Sequence, residues 1–352
     1  SFSFTDADRP DWLWIHRSLL NDSIDKPVIR FSAEAGDEWA EVLKKRFEGK
    51  ATVEKEGISE SLQALSGNGI VMIEHPDRSR ESRRVRHTRI LVVELLRQVE
   101  MIAPDEVFEW ERLKTGNENL VALYDAEGIG GAGPNNLGRI VSRIGDASLY
   151  RVCGEDIREG ALAPAATVIF PGGSGGGIGR ALEEKGRKIV RDYVMNGGGY
   201  LGVCAGAYFA ASGLDVYLHA VDLQHSQPWR RGRDMVEIEL TAEGQKFFGT
   251  DQTVLTTRYA NGPVFLAEDQ EGEGDPEFQV LATFKTPSTD RNGIVREEMV
   301  GQAAIGARAF GDGRLLIISP HPESHEEHDD LVGRGISWTM GPGSSESGAR
   351  MN

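Results

Sequence analysis

From about residue 120 onward the chain alternates short, continuously apolar runs with longer runs of helical spacing. LVALYD (120–125) predicts a buried strand, and after the loop AEGIGGAGPNN a helix is expected over about 137–144. SLYRVC (148–153), ATVIF (166–170) and YLGVC (200–204) predict three more strands of the same kind. Between them, 178–195 can turn Ala181, Ile189, Val190, Tyr193 and Val194 to one helical face, and NGGG stops that helix. AGAYFAA follows YLGVC as a helix of small residues. Strands that are apolar throughout and separated by helices predict a parallel sheet covered on both faces.

Beyond Gly213 the pattern changes. Residues 216–223, 235–240, 254–259 and 278–284 read as strands with hairpin-scale connections. AAIGARAFGDGRLLIISP carries a GDG turn between two apolar runs, a hairpin signal. A last helix is expected over 323–340, followed by a frayed polar tail. Ahead of residue 120, KPVIRFSAE, a helical AGDEWAEVLKKRFEG, then KATVEKE, ISESLQALS and GIVMIEHPD suggest a small α/β piece, and a long helix is expected over 82–101. The expected division is a small α/β unit of unknown role over 1–117, a larger unit over 118–343, and a disordered tail over 344–352.

Composition narrows the function classes. Lys and Arg total 39 against 55 Asp and Glu, a formal charge of −16, so the mean field repels phosphate and neither nucleic acid nor a membrane is an expected partner. No apolar run approaches the ~20 residues of a membrane span. Two cysteines, Cys153 and Cys204, are too few for a disulfide framework or a four-cysteine zinc site. The expected compartment is the cytoplasm; the chain opens SFSF without Met, which leaves room for a trimmed leader. Glycine is the informative excess: 21 of the 43 fall between Gly128 and Gly213, so that stretch must turn tightly and often.

Three segments carry candidate chemistry. In GYLGVCAGAYFA a strand ends at Cys204 and a helix begins at once, the geometry of a nucleophile elbow. Gly202 and Gly206 flank it and let neighbouring backbone approach, and a thiolate there would face a helix N-terminus. The competing reading is a buried cysteine acting as a small hydrophobe. In LLIISPHPES an apolar strand delivers His321 and Glu323, which two apart on a strand would share a face, so that Glu323 orients the imidazole. The competing reading is a surface turn. FPGGSGGG after the 166–170 strand lacks the Lys-Ser/Thr of a phosphate loop, and its backbone N–H groups are better placed to face the nucleophile.

These elements, in this order, resemble the class I glutamine amidotransferase-like superfamily, and within it the biotin-protein ligase N-terminal-domain family. The resemblance covers about 120–340 and is carried by LVALYDAEGIGGAG, VIFPGGSGGG, GYLGVCAGAYFAA, RYANGPVF and ISPHPE. It implies a flavodoxin-like, mostly parallel sheet with helices on both faces. It also implies Cys204 as nucleophile, His321 as base and Glu323 as third member, with an oxyanion hole from the N–H of Ala205 and of Gly172 or Gly173. Ser174, Tyr208, Tyr259 and Asn261 would line the substrate pocket. Two departures stand out: Tyr208 occupies the position where glutamine-hydrolysing members carry Gln, and no ammonia-accepting synthase domain is present. No ligase domain is visible either, and RRGRD around Arg231 is only a fragment of an adenylate-binding loop.

Lesser candidates are His321, His325 and His328 as a metal cluster, whose HEEH spacing is wrong for the zinc helix motif. The basic run 78–89 reads as a solvated helix start. Asp125, Glu127, Asn135 and Asn136 sit on loops able to rim a pocket. The leading expectation is hydrolysis or acyl transfer at an amide-like carbonyl of a small molecule, without a cofactor or metal, and with room for a separate synthase or ligase partner. The alternatives are a non-catalytic binding or regulatory module keeping the same pocket, and a PfpI-like peptidase.

Overall fold

The structure is a computed structural model, which describes residues 119–341 apart from 159, 222–229 and 266–277, together with five short strands in the first 74 residues. Those five are β1 (Phe2–Asp6), β2 (Arg9–Leu13), β3 (Val28–Phe31), β4 (Thr52–Glu54) and β5 (Ile70–Glu74), paired in the order β2-β1-β5-β3-β4. The last three fall within KPVIRFSAE, KATVEKE and GIVMIEHPD, segments of the expected α/β piece, whereas the β1–β2 hairpin was not expected. The expected helix over 82–101, the basic run 78–89 and the tail lie outside the described residues.

The larger sheet has nine strands in the order β11-β10-β12-β13-β14-β9-β8-β6-β7. They are β6 (Asn119–Tyr124), β7 (Ala147–Val152), β8 (Ala165–Phe170), β9 (Gly199–Val203), β10 (Arg233–Leu240), β11 (Val254–Ala260), β12 (Gln279–Phe284), β13 (Ala303–Phe310) and β14 (Gly313–Ile318). From β7 to β14 every pairing is parallel, and from β14 outward every pairing is antiparallel. The parallel half needs crossover helices because parallel neighbours cannot be joined by a hairpin. These are α1 (Gly133–Val141), α2 (Gly154–Arg158) and α3 (Gly175–Met195), followed by α4 (Ala205–Ala210), α5 (Ala242–Phe248) and α6 (Asp329–Met340).

Continuously apolar strands feed two cores at once. In β6, Leu120, Ala122 and Tyr124 face one core, and Val121 and Leu123 face the other. The first core is closed by Ile178, Leu182, Val190 and Val194 of α3 and by α4; the second by Leu137, Ile140 and Val141 of α1 and Leu331, Val332 and Ile336 of α6. Phe170 centres the first core, with ring centroids 5.2 Å from Tyr124, 5.4 Å from Tyr200 and 5.1 Å from Phe209. Each such fully buried apolar side chain contributes about 1.5–3 kcal/mol. No helix among the described residues is long and apolar enough to cross a membrane.

Two expected elements differ. Residues 216–221 form no strand: they pack as a covering loop over α4, with Leu218 N–H donating to Phe209 O and Ala220 N–H to Ala210 O. Their apolar pattern reflects that burial, since Tyr217, Leu218, Ala220 and Val221 are all buried. The last helix begins at Asp329 rather than 323, because Pro322–Ser324 and Glu326–His328 form short 3-10 turns first.

Candidate active site

The carboxyl ends of β8, β9 and β14 lie side by side, the region where open α/β sheets place ligands. Cys204 occupies the junction of β9 and α4 with φ 50° and ψ −95°, a conformation non-glycine residues rarely adopt. Such a backbone persists only when its surroundings over-determine it. Here Cys204 N–H donates to Ile318 O at 2.8 Å, and Tyr208 N–H donates back to Cys204 O at 3.0 Å. The glycines on either side allow it: a methyl on Gly206 would lie 2.0 Å from Phe170 O, and one on Gly202 2.5 Å from Gly206 O.

The segment after β14 brings His321 to the same point. His321 N–H donates to Arg258 O at 2.7 Å, which ties the turn to β11. Although β11 is the far edge strand, its end reaches the site: the Cys204 thiol donates to Ala260 O at 3.6 Å. His321 Nδ1 and Glu323 Oε1 are 2.8 Å apart, and both residues are buried. The proximity does not come from a shared strand face, as expected from sequence. β14 ends at Ile318, and a proline-led 3-10 turn brings the carboxylate under the ring.

Burial alone would push the His321 imidazole down. Electrostatic interaction with Cys204 and with the Glu323 carboxylate, and hydrogen bonds to both, outweigh it and raise the imidazole to about 10. His321 thus stands between Cys204 and Glu323, interacting with both. A histidine raised from its ordinary 6.5 to about 10 contributes stability that is fully present below pH 6.5 and lost as pH rises through 10. The stability advantage of the native chain over His321→Ala should accordingly shrink between pH 6.5 and 10. Thermal unfolding of both at pH 6 and pH 10 checks this; a constant difference would contradict it.

The glycine loop lies against His321 and Cys204. A methyl on Gly172 would sit 2.7 Å from His321 Cε1 and 3.7 Å from Cys204 Cβ. The N–H groups of Gly172 and Gly173 have no protein acceptor among the described residues, and that of Ala205 opens α4, where no intrahelical acceptor exists. The loop is held from behind by Gly130 N–H on Gly172 O at 3.0 Å and Ser174 N–H on Gly128 O at 2.7 Å.

Other expected residues have scaffold contacts. Ser174 caps α3 by accepting from Gly177 N–H at 3.1 Å. Tyr259 is fully buried and its hydroxyl donates to Gly262 O at 2.7 Å, while Asn261 Oδ1 accepts from Gly232 N–H at 2.8 Å. Tyr208 interacts with Cys204; burial holds its phenol well above the usual value, with the Arg231 cation pulling the other way. Asp125 is buried and ion-paired with Arg151, which also donates to Asn135 Oδ1 at 3.2 Å. Glu127 is exposed and Asn136 half-buried. His325 Nε2 accepts from Arg258 N–H at 3.2 Å, and His328 Nε2 is 2.9 Å from Thr256 O. These two rings brace β11 against the His321 turn.

Arg231 was missed. It is fully buried, and its guanidinium acts on both Tyr208 and Tyr259, the two phenols that also feel Cys204. The sequence offered RRGRD only as a fragment of an adenylate-binding loop, and nothing in it marks one arginine of that run as interior.

Residues 158–227 match the family described as "Biotin-protein ligase, N terminal". Among curated proteins none matches this chain. Among solved structures, a glutamine amidotransferase is 20% identical with TM-score 0.44, over 63% of this chain and 99% of that one. PurLQS from Thermotoga maritima is 12% identical with TM-score 0.44, over 63% and 97%. A ThuA-like protein from Bacteroides uniformis is 12% identical with TM-score 0.43, over 68% and 95%. The chain is thus similar, over 158–227, to the N-terminal region of biotin-protein ligases, a span that holds Cys204 and the Gly172 loop but not His321 or Glu323.

Proposed function

We propose that the site performs hydrolysis or acyl transfer at an amide-like carbonyl of a small molecule. The observation that carries this reading is Cys204, in a strained strand-to-helix turn, lying against the Gly172 loop together with a histidine that Glu323 holds at 2.8 Å. The thiolate attacks the carbonyl carbon, forming a C–S bond, while N–H groups of Ala205 and Gly172 or Gly173 receive the developing oxyanion. The His321 imidazolium gives its proton to the leaving nitrogen as the C–N bond breaks. The neutral ring then takes a proton from water, or from another acceptor, as that nucleophile attacks the thioester and releases Cys204. Glu323 keeps Nδ1 protonated so that Nε2 faces the reacting atoms.

A panel of primary amides, assayed for ammonia release, tests the proposal with Cys204→Ala as control. Loss of release in the variant is the expected result. A panel on which both proteins are inert, with ligands still bound tightly, favours the second reading: a binding module in which Tyr208, one helical turn after Cys204 and only 8% exposed, stands where glutamine-hydrolysing relatives carry Gln.

A further inference from the structure

Glu323 does not hold itself in place. Its side chain is 1% exposed, and its second oxygen, Oε2, has no hydrogen-bond partner among the described residues. The carboxylate is therefore fixed laterally only by His321, and its aim depends on the backbone of the 322–324 turn. That backbone is gripped from outside by α1. Arg139, in the last turn of α1, donates through Nη2 to the Glu323 carbonyl oxygen at 3.2 Å. Its Nη1 is bonded to Oδ2 of Asp329, the first residue of α6, which is 3% exposed. The first turn of α1 reaches the other side of the same residue: a methyl on Gly133 would lie 3.9 Å from Glu323 Oε1. One helix thus spans Glu323, from carboxylate to carbonyl.

We propose that Arg139 is a positioning residue for the site: by bridging Asp329 and the Glu323 carbonyl it sets the angle at which Glu323 meets His321. The proposal rests on the catalytic reading of Cys204, His321 and Glu323. It also contains its own control. Arg143, one turn further along, binds the same Asp329 oxygen but has no bond to Glu323. Removing either arginine weakens the tie between α1 and α6; only Arg139 touches the turn that carries the carboxylate.

The test is the rate of iodoacetamide alkylation of Cys204 in the full chain, measured from pH 6 to 10 by mass spectrometry, with thermal unfolding alongside. Partners that orient metal-ligating side chains from behind are typically worth ~10-fold or more in affinity or activity, and a similar scale is expected of a partner that orients Glu323. Arg139→Ala should slow labelling about tenfold and shift its pH profile toward that of Glu323→Gln, whereas Arg143→Ala should leave both unchanged. Arg139→Lys, which keeps a donor and a charge, should recover part of the rate. The double variant Arg139→Ala/Glu323→Gln should be no slower than Glu323→Gln alone, because both act through one carboxylate. If Arg139→Ala and Arg143→Ala behave alike, or if only the unfolding temperature moves, Arg139 is a structural clamp and the proposal fails. If Glu323→Gln itself leaves labelling unchanged, the catalytic reading fails instead.

Discussion

Gly172→Ala should slow reaction at Cys204 by about 10²-fold while leaving the fold in place, the loss expected when a reacting group is displaced by about 1 Å. The added methyl would lie 2.7 Å from His321 Cε1, well inside van der Waals contact. The ring cannot simply retreat, because Nδ1 is bound to Glu323 Oε1 and the backbone N–H to Arg258 O. Any rotation that relieves the clash breaks the interaction with Cys204 or the bond to Glu323. Stability should change little, since the loop's own hydrogen bonds to Gly128 and Gly130 remain. A variant that reacts at the native rate would mean the imidazole has room to move and is not held as described.

Gly206→Ala should fail differently, through the fold. Its methyl would sit 2.0 Å from Phe170 O and 2.8 Å from Phe170 C, so the obstacle is backbone of β8 rather than a movable side chain. Alanine gains about 1 kcal/mol of helix propensity over glycine. Overpacking against main chain belongs at the upper end of its range, about 3 kcal/mol, so the clash dominates and a net loss of about 2 kcal/mol is expected. The midpoint of chemical unfolding measures it. A midpoint equal to or above the native one would show that α4 approaches β8 less closely than this packing requires.

Much of this architecture was legible because its signals are steric and periodic. Mostly apolar runs marked the four parallel strands β6, β7, β8 and β9, since a strand covered on both faces has few polar positions to interrupt it, Arg151 of β7 being one. Gly202 and Gly206 could be read as contact glycines because only residues without Cβ tolerate a strand and a helix meeting at one cysteine. The 216–221 segment misled for the same reason: burial under a loop leaves the same apolar trace as burial in a sheet. His321 and Glu323 meet through a geometry other than the expected one. Two-residue spacing fits a strand face, but Pro322 ends the strand pattern and the contact forms across a tight turn. What sequence spacing cannot carry is contact between distant segments. Arg231 meets Tyr208 and Tyr259, Arg139 meets Glu323, and the end of β11 meets Cys204 although each pair is far apart in sequence.

The central claim is that Cys204 is a nucleophile activated by His321, and the most direct measurement is alkylation of both cysteines in one sample at pH 7. Cys153 is fully buried and Cys204 is 5% exposed, so a faster Cys204 alone would reflect access as much as chemistry. The decisive comparison is with His321→Ala, which leaves access no worse and removes the counter-charge. A thiol without such a partner is only a few per cent ionised at pH 7, so the account predicts that labelling of Cys204 slows by about tenfold or more while Cys153 stays as it was. Equal, slow labelling of both cysteines that is indifferent to His321→Ala would contradict it.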